Sequence, residues 1–126
     1  MLKINRKLIP IQYDTYSTTE TRTNKIWMDK PVYRKVIDFD VSPNSLNEHA
    51  FNIPNYDNIW INSGQSFIKT PTRSYVIARA DYRDMNYQIG CFLATDSNKI
   101  FTLIGPGVFI GTGHAYIVFE YTKTTD

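Results

Sequence analysis

Apolar and polar side chains alternate at every second position along much of the chain, the period of a strand with two unlike faces. Tyr75, Ile77 and Arg79 oppose Val76, Ala78 and Ala80, and Tyr116, Val118 and Glu120 oppose Ile117, Phe119 and Tyr121. Runs of this kind predict strands over residues 32–39, 46–51, 58–62, 74–80, 87–93, 99–104 and 115–121. Between them stand Pro43-Asn44, Pro54-Asn55, Ser63-Gly64, Asp84 to Asn86, Asp96 to Asn98 and the glycine-rich stretch from Gly105 to Gly113. These residues favour turns, through a fixed or positive φ or a side chain that bonds its own backbone. The last stretch reads as a wide loop between two neighbouring strands. About 7–8 short strands at roughly 8–12-residue spacing predict an all-β fold, an antiparallel β-sandwich of jelly-roll or immunoglobulin-like type.

Several runs are apolar on both faces, a pattern expected where the second face is covered by another sheet or another subunit. Oligomerisation therefore enters as a structural expectation. The start of the chain is less regular. A short apolar piece, Leu8 to Tyr13, is followed by the polar, Thr-rich Ser17 to Thr23, which reads as a linker or an edge strand. The expected organisation is an N-terminal arm over residues 1–18 and one sandwich domain over residues 19–126.

Composition supports the β reading. The 126 residues hold 15 Ile, 13 Thr and 6 Val against 5 Leu and 5 Ala, so β-branched side chains far outnumber the strong helix formers. With 42% hydrophobic and 14% aromatic residues, one core of ordinary size is available, and disordered or collagen-like classes are excluded.

Charge changes the picture only at the front. Residues 1–36 carry 8 basic and 3 acidic groups, and the remainder carries 6 and 9. Lys3, Arg6 and Lys7 are candidates for docking the arm on an acidic surface of a partner. No dense Lys/Arg cluster marks a nucleic-acid interface, so none is expected. The opening lacks the apolar run of ~7–15 residues of a signal peptide. No stretch reaches the ~20 apolar residues of a spanning helix, so membrane insertion is not expected.

Candidate chemistry is sparse. His49 and His114 have no metal-ligand spacing with each other or with Cys91, so no metal and no cofactor are expected. Cys91 sits in the apolar Ile89-Gly90-Cys91-Phe92-Leu93, where a thiol behaves as a small hydrophobe. Gly64-Gln65-Ser66 lacks the second glycine of a nucleophile elbow, and the Gly105–Gly113 stretch has neither phosphate-loop spacing nor a following helix. The close pairs Asp38/Asp40 and Asp81/Asp84 keep a two-carboxylate glycosidase in view, although such pairs are commoner as strand ends and turn caps. The most suggestive segment is Asp81-Tyr82-Arg83-Asp84-Met85-Asn86. Tyr82 and Arg83 offer rigid contact area, and Asp81, Asp84 and Asn86 offer hydrogen bonds, a composition suited to recognising a sugar or a protein.

The two ends of the chain add a family resemblance. Thr19-Glu20-Thr21-Arg22-Thr23 and Ile26-Trp27-Met28-Asp29-Lys30-Pro31-Val32-Tyr33-Arg34-Lys35-Val36 resemble the E-x-R-x-G-x-W-x-D-G-K-P-[IV]-Y-R-K-V stretch of structural proteins of tailed bacteriophages. Pro43-Asn44, His49 and Asn55-Tyr56-Asp57-Asn58-Ile59 are similar to that group's middle segment, and residues 115–126 to its A-Y-V-x-L-E-Y-T-K-T-T-D ending. The glycine expected after Asp29 is absent, and Ala50 stands after His49 where a glycine is expected.

What the resemblance implies is a head or knob domain of a tail fibre, head fibre or baseplate appendage. It implies a homotrimer that meets other virion structural proteins and a host-surface glycan or protein, with no catalytic residues to carry over. The expected location is the virion, after synthesis in the host bacterial cytoplasm. Two alternatives remain at this point: a purely structural adaptor of the virion, and a small carbohydrate-active depolymerase.

Overall fold

The computed structural model describes residues 16–78 and 85–126, with residues 3–4 and 7–8 placed by their backbone. Eleven strands and one short 3₁₀ turn are found among them. β1 (Lys3–Ile4) and β2 (Lys7–Leu8) form a small hairpin of their own. The body is built from β3 (Thr21–Trp27), β4 (Lys30–Val41), β5 (Leu46–Ala50), β6 (Tyr56–Ile61), β7 (Phe67–Lys69), β8 (Ser74–Val76), β9 (Ile89–Ala94), β10 (Lys99–Ile104) and β11 (Gly113–Lys123).

Two antiparallel sheets make a β-sandwich, as the strand pattern predicts. One has three strands in the order β5-β10-β9; the other has six, in the order β3-β4-β11-β7-β8 with β6 also paired to β11. β11 is the hub. Along one side it pairs with β4 from Gly113 to Tyr121, and its other side is shared by β7, opposite residues 114–116, and β6, opposite residues 119–123.

Each of the seven expected runs contains a strand, although Phe51, Asn62, Ile77, Ala78 and Gln88 fall outside strands, Tyr87 stands in the 3₁₀ turn Met85–Tyr87, and residues 79 and 80 lie outside the described residues. β3 and β7 were not predicted as definite strands. The Gly105–Gly113 stretch requires a correction: it does not join sheet neighbours, because β10 and β11 lie in different sheets. Asn44, Asn55 and Asn98 adopt φ of 57°, 59° and 55°, so three of the expected turns use asparagine in the left-handed region.

The core lies where the odd positions of β4 and β11 face the three-stranded sheet. Phe39, Val41, Ala115, Ile117, Phe119 and Tyr121 meet Phe51, Ile53, Ile89, Ile100 and Ile104 there, all buried. Each fully buried Ile or Phe stabilises the fold by about 1.5–3 kcal/mol before its ordering entropy is counted.

The opposite face of the six-stranded sheet is only partly solvent-facing. Val32, Val36 and Val118 are buried on it, beside Arg34 and Glu120 at 1% and 2% exposure. β11 is thus apolar on both faces without needing another subunit, since side chains of the same chain cover the second one.

Candidate functional site

The residues carrying the family resemblance, joined by Lys25 and Trp60, gather into two polar clusters on opposite faces of β11, one around Glu120 and one around Glu20. Arg34 donates to Glu120 Oε2 from Nη2 at 2.6 Å and from Nε at 3.2 Å. Lys25 Nζ reaches Glu120 Oε1 at 3.0 Å, and Trp60 Nε1 donates to the same oxygen at 3.2 Å. Burial by itself pushes the Glu120 carboxyl up, but the hydrogen bonds from Arg34, Lys25 and Trp60 hold it below its ordinary value. Glu20 takes a hydrogen bond from the Tyr121 hydroxyl at 2.5 Å and one from Lys123 Nζ at 2.6 Å. Lys30 Nζ bonds both Asp57 and the Lys123 carbonyl, and Lys123 Nζ lies 4.2 Å above the Tyr33 ring.

These contacts clamp the β3–β4 hairpin to β11, so the shared residues form a framework rather than a binding surface. The hairpin turn uses Met28 and Asp29, at φ of 50° and 63°, between the paired residues Trp27 and Lys30. A two-residue turn with both φ positive suits right-twisted strands, which is how the hairpin closes without the expected glycine.

Other sequence candidates become structural in the same way. Ser66 Oγ donates to the Asn62 carbonyl at 2.7 Å and accepts from the Val118 N–H at 2.8 Å. Burial pushes the Cys91 thiol up, against the weaker influence of Thr102, whose hydroxyl lies 3.8 Å away. His49 stacks on Phe39 at 4.7 Å between ring centroids. Asp81, Tyr82, Arg83 and Asp84 lie outside the described residues, as does Arg6. Lys3 and Lys7 stand in the β1–β2 hairpin. Asn86 lies in the 3₁₀ turn and lines a cleft of about 580 Å³ with Asn44, Leu46, Gln88, Leu103 and Pro106.

Two surfaces remain that the framework does not use. The first is the outer face of the three-stranded sheet, which the register shows to be one apolar patch. Phe101 sits opposite Phe92, with rings stacked at 5.0 Å, and Leu103 sits opposite both Leu46 and Gly90. Leu46, Phe92 and Leu103 are 57%, 56% and 56% exposed. At one end, Lys99 and Glu48 form an exposed pair at 3.4 Å. The sequence predicts strands over residues 87–93 and 99–104; that this face stays open could be read only from the strand order.

The second surface is the other half of the six-stranded sheet's outer face. Two rows of side chains cross it: Asp40, His114 and Lys69, then Asp38, Tyr116 and Phe67. His114 places Nδ1 2.8 Å from Asp40 Oδ1 and Nε2 2.7 Å from Asp38 Oδ1. Both bonds form together only when both ring nitrogens carry protons, so the imidazolium is favoured. The Asp40 hydrogen bond leads in holding the His114 pKa above its ordinary value, against some desolvation, with Asp38 adding to the effect.

The contribution of His114 to stability follows in sign. It is fully present below the ordinary value of about 6.5 and is lost as pH rises through the higher folded value. Urea midpoints of the wild type and His114→Gln are therefore expected to differ most near pH 5.5 and to converge near pH 9. A gap that widens with pH would show that the imidazolium is not the stabilising species.

Compared with protein-family models, with curated proteins and with solved structures, the chain matches none.

Proposed function

We propose that this chain is a virion structural module of a tailed bacteriophage: the knob of a fibre or appendage, assembling as a homotrimer and serving adhesion to the host surface. The observation that carries the reading is the open apolar face of the three-stranded sheet. A body with a complete core of its own and a second patch of Leu46, Phe92, Phe101 and Leu103 is shaped to pack against further protein. The resemblance at both ends of the chain supplies the setting, and the basic front with Lys3, Arg6 and Lys7 supplies a docking arm toward the rest of the particle. The Asp81–Asn86 segment remains a contact loop in this reading. The module works without catalysis, by multiplying weak contacts: a second linked contact sees an effective concentration that raises avidity by about 10²–10⁴.

Phe92→Glu and Leu103→Glu place a carboxylate in the patch while leaving the core intact. Both variants are expected to fold, to lose self-association, and to bind host cells at least about tenfold more weakly than the wild type. Cell binding equal to that of the wild type would remove this face from the mechanism.

A further inference from the structure

From the outer face of the six-stranded sheet we infer a second binding site, for a short neutral glycan, centred on Asp38, Asp40 and His114. It rests on the adhesion reading above for its purpose, and gives that reading a place and a ligand class. The geometry begins with His114, which fixes both carboxylates by one oxygen each. Among the described residues no hydrogen bond reaches the second oxygen of Asp38 or of Asp40. Two carboxylates held two residues apart on one strand face, each with an acceptor left over, suit the hydroxyl donors of a sugar ring.

Beside them lies a shallow hollow of about 290 Å³, lined by Asp40, Lys69, Thr70, Thr112, Gly113 and His114 among others. That is close to the lower limit of about 300 Å³ for ligand pockets, room for a small ring and not for a folded partner. Lys69 brings donors to the same hollow, and the threonines bring hydroxyls.

Across His114 stands an aromatic stack. Tyr116 meets the imidazole edge-on at 4.9 Å, Phe67 stacks on Tyr116 at 5.0 Å, and Tyr16 stacks on Phe67 at 6.1 Å. Tyr16 is 47% exposed, so the outermost ring of the stack presents an apolar surface with a polar tip. The C–H face of a sugar packs on such a ring while its hydroxyls turn toward the acids.

Charge selects among glycans. Asp38 and Asp40 against protonated His114 and Lys69 sum to zero, and Asp40, with a side chain 78% exposed, meets an incoming ligand early. With no net charge to attract it, a uronic or sialic acid gains nothing at the patch and its carboxylate meets the exposed Asp40, whereas a neutral oligosaccharide meets no such repulsion.

The test uses saturation-transfer NMR on the full chain with maltotriose and chitotriose as neutral probes and a trigalacturonate as the acidic one. A neutral trisaccharide is expected to bind at millimolar concentration and the acidic one not to bind. Tyr16→Ala and Asp40→Asn, both at exposed positions, are expected to weaken binding about tenfold or more, which is at least 1.4 kcal/mol. An Asp81→Asn/Asp84→Asn double variant separates this site from the contact loop. Failure of both neutral probes, preference for the acidic one, or binding that survives Tyr16→Ala and Asp40→Asn overturns the site. Sugar binding lost only in the Asp81/Asp84 variant would move the contact to that loop, overturning this site while leaving the adhesion reading standing. A wild type that ignores both the sugars and host cells would sink both.

Discussion

Glu120→Ala is expected to destabilise the domain by about 3–5 kcal/mol, the loss seen when one partner of a buried ion pair is removed. The carboxylate is 2% exposed and accepts from Arg34, Lys25 and Trp60. Without it the Arg34 guanidinium, 1% exposed, loses the bonds it makes to this buried carboxylate. Against a total stability of about 5–15 kcal/mol, that loss leaves the domain marginal or unfolded. The size of the loss does not measure the worth of the pair, because desolvating two ions offsets much of their attraction. Arg34→Met combined with Glu120→Leu removes both charges and keeps the volume, so it is expected to recover most of the stability. Urea unfolding of the three proteins decides this. A Glu120→Ala variant within about 1 kcal/mol of the wild type would show that the pair is not buried as described.

The same residue gives the fold an acid limit. A carboxyl held below its ordinary value stabilises above the unfolded value of about 4.3 and loses that effect as pH falls through the lower folded value. Glu20 adds to this in the same direction: its own desolvation is outweighed by the hydrogen bonds from Lys123 and Tyr121.

Phe119→Ala is the second large effect, at about 3–5 kcal/mol. Its ring is fully buried at the centre of β11 and meets Phe51 at 5.4 Å between centroids. Lys35 of β4 and Ile61 of β6 sit opposite it in the ladder, so backbone on both sides resists collapse into the space left behind. At roughly 3–5 °C per kcal/mol for a domain of this size, the melting temperature should fall by about 10–20 °C. Phe119→Leu, which fills more of the site, should lose much less. A fall of only a few degrees for Phe119→Ala would mean that the two sheets do not pack tightly at this point.

The strands of the core were legible because their β-branched and aromatic residues alternate strongly enough to outweigh local noise. Two elements escaped for physical reasons. β3 reads Thr21-Arg22-Thr23-Asn24-Lys25-Ile26-Trp27, polar because it is an edge strand with only Thr23 buried. What makes it a strand is its hairpin partner β4. β7 is three residues long, too short for any period to show.

Strand order was the larger gap. Alternation tells which residues share a face, but whether that face meets a sheet, its own chain or solvent depends on contacts far apart in sequence. For that reason the second face of β11, expected to need an outside cover, buries Val118 and Glu120 within its own chain, with Arg34 and Trp60 bonded to the carboxylate, whereas Phe92 and Leu103 stay exposed. The same holds for the Asp38/Asp40 pair. Its spacing was visible, and so was His114, but only the β4–β11 register places the imidazole between the two carboxylates.

The solution mass of the wild-type chain, by size exclusion with light scattering, tests the central claim most directly. A module that closes its open apolar sheet face on copies of itself should elute as a trimer, stable on dilution and reduced to monomers by Phe92→Glu. A wild type that stays a monomer at every concentration, with Leu46, Phe92 and Leu103 in water, would contradict it.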